Sequence, residues 1–456
     1  MSNHNSTPSP DVTEGDVNVS AARTRWHADR AAHSDTALLE RDLAAFFRQS
    51  LSTPCLGALR SAHGSRIEDT SGRTYLDFHG NNVHHVGYGH PKVVEAVSRQ
   101  LTSLPFCPRR FTNEPAVVLA ERLSHLAPPG LSKVLFAPGG ATAIGIALKI
   151  ARLATGRYKT LAFTDSFHGA SLEASSLGGE SLFREGFGPL LPGAYLIDPP
   201  AISGCRYGCG GRCTQRCAEA VEQMLDRIGD VAALIAEPIR CTTVLVPPRD
   251  YWPRIKDACS KNGTLLIFDE IPTGLGRTGD LFASQTVGVT PDILVLGKAL
   301  GGAVMPAAAV LARPELDVAP HKSIGHYTHE KSPVAAAAAL ATLDIILGEN
   351  LPARARDLGA YMLTRLRTLA GRVPIIGEVR GVGLLIGVEV VKDTRTRTPN
   401  PTAAEAILYR CLADGLSFKV SAGHVLTLTP PLTIERADLD RALDILEHHL
   451  LLVNGS

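Results

Sequence analysis

The sequence predicts an α/β fold: a large domain with helices on both faces of a mostly parallel sheet, joined to a smaller α+β domain. Three observations carry this. The fully apolar runs VAALIA (231–236), LLIF (265–268) and ILVL (293–296) have the length and uniform hydrophobicity of parallel strands buried on both faces. Stretches of helical periodicity, such as AIGIALKIAR (143–152), lie between such runs, and this alternation builds parallel sheets. From about Asn350 the order changes to helix, strands, helix, strand and helix, as expected of a separate α+β unit.

With 456 residues the chain is too long for one small core. A hydrophobic content of 45% and a net charge of +1 describe an ordinary soluble enzyme, without the basic excess of a nucleic-acid binder. No apolar run reaches membrane-spanning length, and MSNHNSTPSPDVTEGD lacks the hydrophobic core of a signal peptide, so the cytoplasm is the expected location. Residues 1–36, polar and without apolar periodicity, are expected to be a disordered tail. Residues 37–85 are expected to belong to the small domain, 86–348 to the large one and 349–456 to the small one again.

In chain order, the spacing of Leu38, Leu39, Leu43, Ala44, Phe46 and Phe47 suits a short amphipathic helix, and Ser65 to Phe78 reads as a hairpin turning at Ser71-Gly72-Arg73. Helices are expected over Pro91–Leu104 and Ala116–Leu126, with Arg109 and Arg110 in the loop between them. Those two guanidiniums are either solvated or suited to an anionic oxygen cluster. A strand from Lys133 runs into Gly139-Gly140-Ala141-Thr142 and a helix; free amides and the positive end of the helix dipole make such a turn a phosphate cup. Strands are also expected at Thr160–Thr164 and Val231–Glu237. Between them, Cys205, Cys209, Cys213 and Cys217 recur every fourth position in an insert over 199–217. Four thiolates can enclose a structural zinc, but zinc knuckles favour two-residue gaps, and unligated or redox-labile thiols are the other reading.

The pattern converges on residues 264–306. Two apolar runs deliver Asp269 and Lys298 to the carboxyl ends of neighbouring strands, where open α/β sheets place their ligand sites, so the two side chains are expected to face one pocket.

IFDE, TGLGRTG (273–279) and PDILVLGKALGG (291–302) together resemble the class III aminotransferases of pyridoxal-phosphate fold type I, and the resemblance extends from about Ser65 to Leu450. It implies a seven-stranded sheet, pyridoxal 5'-phosphate as cofactor, and a homodimer with shared active sites. Lys298 would form the Schiff base with the cofactor, and Asp269 would pair with the pyridinium nitrogen, keeping the ring protonated and able to accept electrons. The amides of Gly140 and Ala141 would hold the phosphate. Phe167, followed by His168, would stack on the ring, Glu237 of the AEP motif would lie nearby, and Thr328 would reach the phosphate of the neighbouring subunit.

The chain also departs from the family. Pro272 stands where many members have a Gln that bonds the cofactor's phenolic oxygen. Thr427 replaces the Arg of I-R-F-A-P-P that binds an α-carboxylate, and a neutral hydroxyl cannot make that bidentate contact. The family prior is a transaminase acting on an amine or ω-amino acid. However, NNV-HH-VG-Y-GHP, AEPIRCT, DEIPT, GHYTHEKSP and LSFKVS are similar to the family's ammonia-lyases of hydroxylated aminoalkylphosphonates, which implies release of ammonia and phosphonoacetaldehyde. Arg109, Arg110, Arg240 and Lys331 are the candidates for a phosphonate clamp. A non-catalytic scaffold would have no reason to retain Lys298, Asp269, Phe167 and Thr328 together.

Overall fold

Seven short apolar segments assemble the central sheet of the computed structural model, which describes residues 20–31, 35–49, 53, 55–201, 205–209 and 213–454. From one edge the strands run Lys133–Ala137, Ala308–Ala312, Ile293–Leu296, Leu265–Asp269, Val231–Ala236, Lys159–Phe163 and Ala194–Ile197. Only Ala308–Ala312 runs antiparallel to its neighbours, so the expected mostly parallel seven-stranded sheet is present.

Strand geometry sends alternate residues to opposite faces. Leu234, Leu266 and Phe268 therefore pack with Trp252 of the helix Tyr251–Lys261 on one side. Ala233, Ile235 and Ile267 pack with Ile144 and Ile146 of the helix Gly140–Thr155 on the other. Apolar side chains on both faces of each strand explain why the runs show no alternation in sequence.

The two ends of the chain meet in the smaller unit. Leu59–His63, Arg66–Asp69 and Thr74–Asp77 form an antiparallel meander, which contains the expected hairpin. Leu416–Ser417 then adds to Thr74–Asp77 in parallel, with the Phe78 amide donating to the Ser417 carbonyl at 2.7 Å. A second sheet runs Ile376–Val382, Leu385–Asp393, Val425–Leu428 and Lys419–Ser421, and its last two strands reach towards the carboxyl ends of the central sheet.

One expectation fails. Within the supposed tail, Ala21–Ala31 is a helix, and the expected disorder does not hold there. The Trp26 ring lies 5.9 Å from that of Tyr409, and the Ser20 hydroxyl donates to Glu405, so a tertiary dock on the helix Pro401–Ala413 holds a segment with little apolar periodicity of its own. Residues 1–19 and 32–34 of that stretch lie outside the described residues. Among the described residues no single helix is long and apolar enough to cross a membrane.

Candidate active site

Strand register brings the two central residues together. Asp269 closes its strand opposite Val295, and the Glu270 amide donates to the Val295 carbonyl at 2.9 Å. Lys298 follows two residues after the end of the neighbouring strand, at the start of a short 3₁₀ turn, with φ at +41°. A lysine in the left-handed region is strained, and such strain persists only where the surroundings fix it.

Asp269 is buried. One of its oxygens accepts from the Ile271 amide at 3.0 Å, and the other lies 2.7 Å from His168 Nδ1. His168 Nε2 is buried and has no partner among the described residues. A carboxylate held from two sides and withdrawn from water can keep a ring nitrogen protonated.

The helix Gly140–Thr155 has Gly139 as N-cap, and no side chain caps it. The Thr142 hydroxyl turns back to the Gly139 carbonyl at 2.7 Å, which leaves the first helical amides to meet an anion. A Cβ on Gly140 would come within 2.9 Å of Ile271 Cδ1, and one on Gly169 within 2.7 Å of Ala141 Cβ. The cradle is therefore shaped for a bare backbone. An amine, a buried carboxylate, an uncapped helix start and an aromatic face are the parts that pyridoxal phosphate requires, and these residues fit it. When bound, the cofactor supplies a protonated ring that withdraws electrons from the substrate carbon carrying the amine.

A cavity of about 260 Å³ opens over Lys298, with Phe167, Pro272, Glu237, Arg240 and Lys419 in its wall. Phe167 is half-buried and braced by Phe183, the ring centres 4.6 Å apart. Arg240 enters because its backbone pairs with Leu245 in an isolated bridge that turns the chain back after Pro238. Its guanidinium is buried against the Glu237 carboxylate, with Asp165 at 3.9 Å and Glu180 at 4.0 Å. Burial pushes the Asp165 carboxyl up, and Arg240 offsets part of that. Glu237 also accepts from the Cys241 amide at 2.9 Å.

Thr427 lines the same cavity, but its hydroxyl donates to the Thr242 carbonyl at 2.5 Å. Lys419 faces Thr427 across the pair of strands Lys419–Ser421 and Val425–Leu428 and is only 6% exposed. Sequence reasoning missed it as a site residue. The signal was a single charge between the apolar residues Phe418 and Val420, a pattern that an edge strand shows equally well.

The other candidates lie outside this chain's own cavity lining. Arg109 pairs with Glu330 at 3.2 Å, the Lys331 carbonyl accepts from Asn113 at 3.1 Å, and Arg110, Thr328 and Lys331 are exposed. The four-cysteine insert also departs from expectation. Among the described residues no group of His, Cys, Asp or Glu is placed to hold a metal, and all four thiols are free, so structural zinc finds no support. Their surroundings differ too much for one cage. A hydrogen bond with Thr214 brings the Cys209 thiol down to about 7, whereas burial pushes Cys217 up to about 11, and Cys213 is exposed.

Fold and site together define a pyridoxal-phosphate enzyme of fold type I. The chain belongs to the class III aminotransferases, whose family model matches residues 49–450. It is similar to the (R)-1-hydroxy-2-aminoethylphosphonate ammonia-lyase of Vibrio splendidus (strain 12B01), at 46% identity over 95% of this chain and 94% of that protein. The leucine/methionine racemase of Thermococcus litoralis is 37% identical over 85% of this chain and 88% of its own length. Among solved structures, an (S)-enantioselective omega-transaminase from Thermomicrobium roseum superposes with a TM-score of 0.85, at 32% identity, covering 92% of this chain and 99% of that one.

Proposed function

We propose that this protein is a pyridoxal-phosphate-dependent ammonia-lyase acting on a small hydroxylated aminoalkylphosphonate, with phosphonoacetaldehyde as the carbon product. The observation that carries this reading is Thr427. It sits where an α-carboxylate clamp would be needed, is buried, and has its hydroxyl committed to the Thr242 carbonyl. A transaminase must bind an acceptor, and the usual acceptors carry that carboxylate. A lyase needs none. The 46% identity to an ammonia-lyase across nearly the whole chain supports the same choice.

Lys298 is the group that would take the proton from the amine-bearing carbon, while Asp269, which His168 Nδ1 meets at 2.7 Å, would keep the nitrogen of a bound ring charged. Hydroxide then leaves the adjacent carbon as water, and one water returns as ammonia departs, so no oxidant or amino acceptor is consumed. Glu237, Phe167 and the amides of Gly140 and Ala141 complete the cofactor site in this reading. Thr328, Arg109, Arg110 and Lys331 face outward, and Val94, Leu101, Phe106, Phe111, Val117 and Val118 are exposed apolar residues. A cytoplasmic homodimer, in which Thr328 serves the opposite subunit, accounts for both.

Incubation with the hydroxy-aminophosphonate and no keto acid tests the assignment. Ammonia and aldehyde are expected in equal amounts. A reaction that starts only when pyruvate is added would replace the lyase with the alternative, an amine or ω-amino-acid transaminase, which the solved omega-transaminase neighbour favours.

A further inference from the structure

Two polar side chains in the cavity wall have no part in holding the cofactor. Asp77 ends its strand by accepting from the His79 and Gly80 amides at 3.0 and 3.1 Å, and the turn it holds carries Gly80, Asn81 and Asn82 at φ +44°, +46° and +59°. Three successive residues in the left-handed region are strained, and asparagine is among the few side chains that tolerate it. This turn packs on the one that carries Lys298. It delivers Asn82 to the cavity, where Nδ2 donates to Cys241 Sγ at 3.3 Å and Oδ1 is buried with no partner among the described residues.

Thr242 follows Cys241, so the same contact brings it beside Asn82. Other hydroxyls of the wall are engaged: Thr427 donates to the Thr242 carbonyl, and Thr429 donates to the Phe78 carbonyl at 3.0 Å. Thr242 is different, because its Oγ1 is buried and has no partner among the described residues. Thr242 and Asn82 are only 7% and 8% exposed, and polar atoms withdrawn from water and left unpaired cost stability unless a ligand meets them.

We propose that Thr242 and Asn82 recognise the hydroxyl that the substrate loses, Thr242 Oγ1 donating to its oxygen and Asn82 Oδ1 accepting its proton. This rests on the lyase reading. Of the substrate's three polar groups, the amine goes to the cofactor beside Lys298, and the phosphonate, which presents acceptor oxygens, would be repelled by Asn82 Oδ1. A hydroxyl is donor and acceptor at once, so it satisfies both wall atoms. In the elimination the carbon–oxygen bond breaks with its electron pair passing to oxygen, which leaves as water with the proton removed from the amine-bearing carbon. Negative charge grows on that oxygen as the bond breaks, and the bond from Thr242 strengthens with it. An amine without this hydroxyl leaves both wall atoms unpaired, so the pair also selects the substrate.

Three holoenzyme variants, each checked for melting temperature and cofactor absorbance, form the test. Thr242→Val keeps the shape and loses the hydroxyl, Thr242→Ser keeps the hydroxyl, and Asn82→Gly keeps the left-handed backbone and loses the acceptor. For the hydroxy-aminophosphonate, kcat/KM is expected to fall about 10-fold in T242V and N82G and to stay within about 3-fold in T242S, as the loss of one hydrogen bond predicts. The analogue 2-aminoethylphosphonate keeps the amine and phosphonate but has hydrogen in place of the hydroxyl. Its inhibition constant should stay within about 2-fold of the wild type's in all three, because it makes neither bond. A packing role would reverse the order of T242S and T242V and would weaken both ligands alike. If the wild type turns over the hydroxylated compound and T242V matches it, or if T242V and N82G weaken both ligands by one factor, the hydroxyl is held elsewhere and the lyase reading stands. If the wild type releases no ammonia, the lyase reading falls, and calorimetry with the two phosphonates decides on the pair: a preference for the hydroxylated one that T242V abolishes keeps it, and a preference equal in both proteins removes it as well. Should T242V fail to fold, N82G decides by the same split.

Discussion

The Arg240–Glu237 pair offers a quantitative test of how the cavity wall is held. Both side chains are almost fully buried, at 7% and 2% exposure, and Asp165 and Glu180 stand within 4.0 Å of the same guanidinium. Replacing Arg240 with Met keeps the length of the side chain and removes the charge. Glu237 then remains in a low-dielectric site with the Cys241 amide as a remaining donor, and breaking a buried pair from one side costs about 3–5 kcal/mol. Replacing both partners, as in E237Q/R240M, removes the Glu237 charge as well and leaves only Asp165 and Glu180 without the arginine, so part of that loss should return. The sign of the pH dependence follows from Asp165. Burial already raises its carboxyl, Arg240 holds it back, and R240M removes that restraint. A carboxyl raised in the folded state favours folding below its unfolded value and opposes it as the pH climbs through the folded one. The penalty in R240M should therefore be small near about pH 5 and largest near about pH 8, as Asp and Glu titrate below that range in unfolded chains. Urea unfolding of the four proteins in the cycle at both pH values measures this. A loss below about 1 kcal/mol at the higher pH, or a double variant no more stable than R240M, would refute the reasoning.

Three further outcomes are expected. Lys298→Ala should lower turnover by at least about 10²-fold and abolish the visible absorbance of covalently held cofactor, read in a spectrophotometer on protein incubated with pyridoxal phosphate. Gly140→Ala places a Cβ 2.9 Å from Ile271 Cδ1 beside the phosphate cradle, so cofactor affinity should fall by about 10-fold in a fluorescence titration while far-UV dichroism stays unchanged. Glu270 accepts from the Ala283 and Ser284 amides at 2.6 Å, and burial pushes its carboxyl to about 7 from an ordinary 4.5. Its contribution to stability is present below pH 4.5 and lost as the pH rises through 7, a change of about 3 kcal/mol by linkage. Glu270→Gln should remove that slope from the unfolding free energy, and a variant whose slope equals the wild type's would show that another group carries it.

The parts of the site that could be read from sequence are those fixed by short-range geometry. Asp269 and Lys298 each terminate an apolar run, and parallel neighbours bring such ends together, so their meeting follows from strand pattern alone. The glycine turn at Gly140 is a weak signal by itself, and its assignment came from the family motif it resembles. Lys419 was invisible for the opposite reason. It reaches the cavity through an antiparallel pairing with Val425–Leu428, and no local pattern tells which face of a three-residue strand points inward. The engagement of Arg240 by its own neighbour Glu237 depends on the Leu245 turn, and the dock of Trp26 on Tyr409 joins segments almost four hundred residues apart. Tertiary contacts of that range override local composition, which is why a polar segment counted as tail is helical. The regular spacing of the four cysteines promised a shared site, yet one thiol entered a buried helix face and another stayed in water.

The left-handed backbone at Lys298 sets folding against chemistry at a single residue. Asn or Gly would accept that conformation with less strain, so a selection for heat resistance alone would drift towards them and discard the amine. On the proposed role of Lys298, thermal robustness and turnover are therefore opposed at this position, and a library ranked only by melting point would enrich well-folded proteins that lack the amine proposed to hold the vitamin.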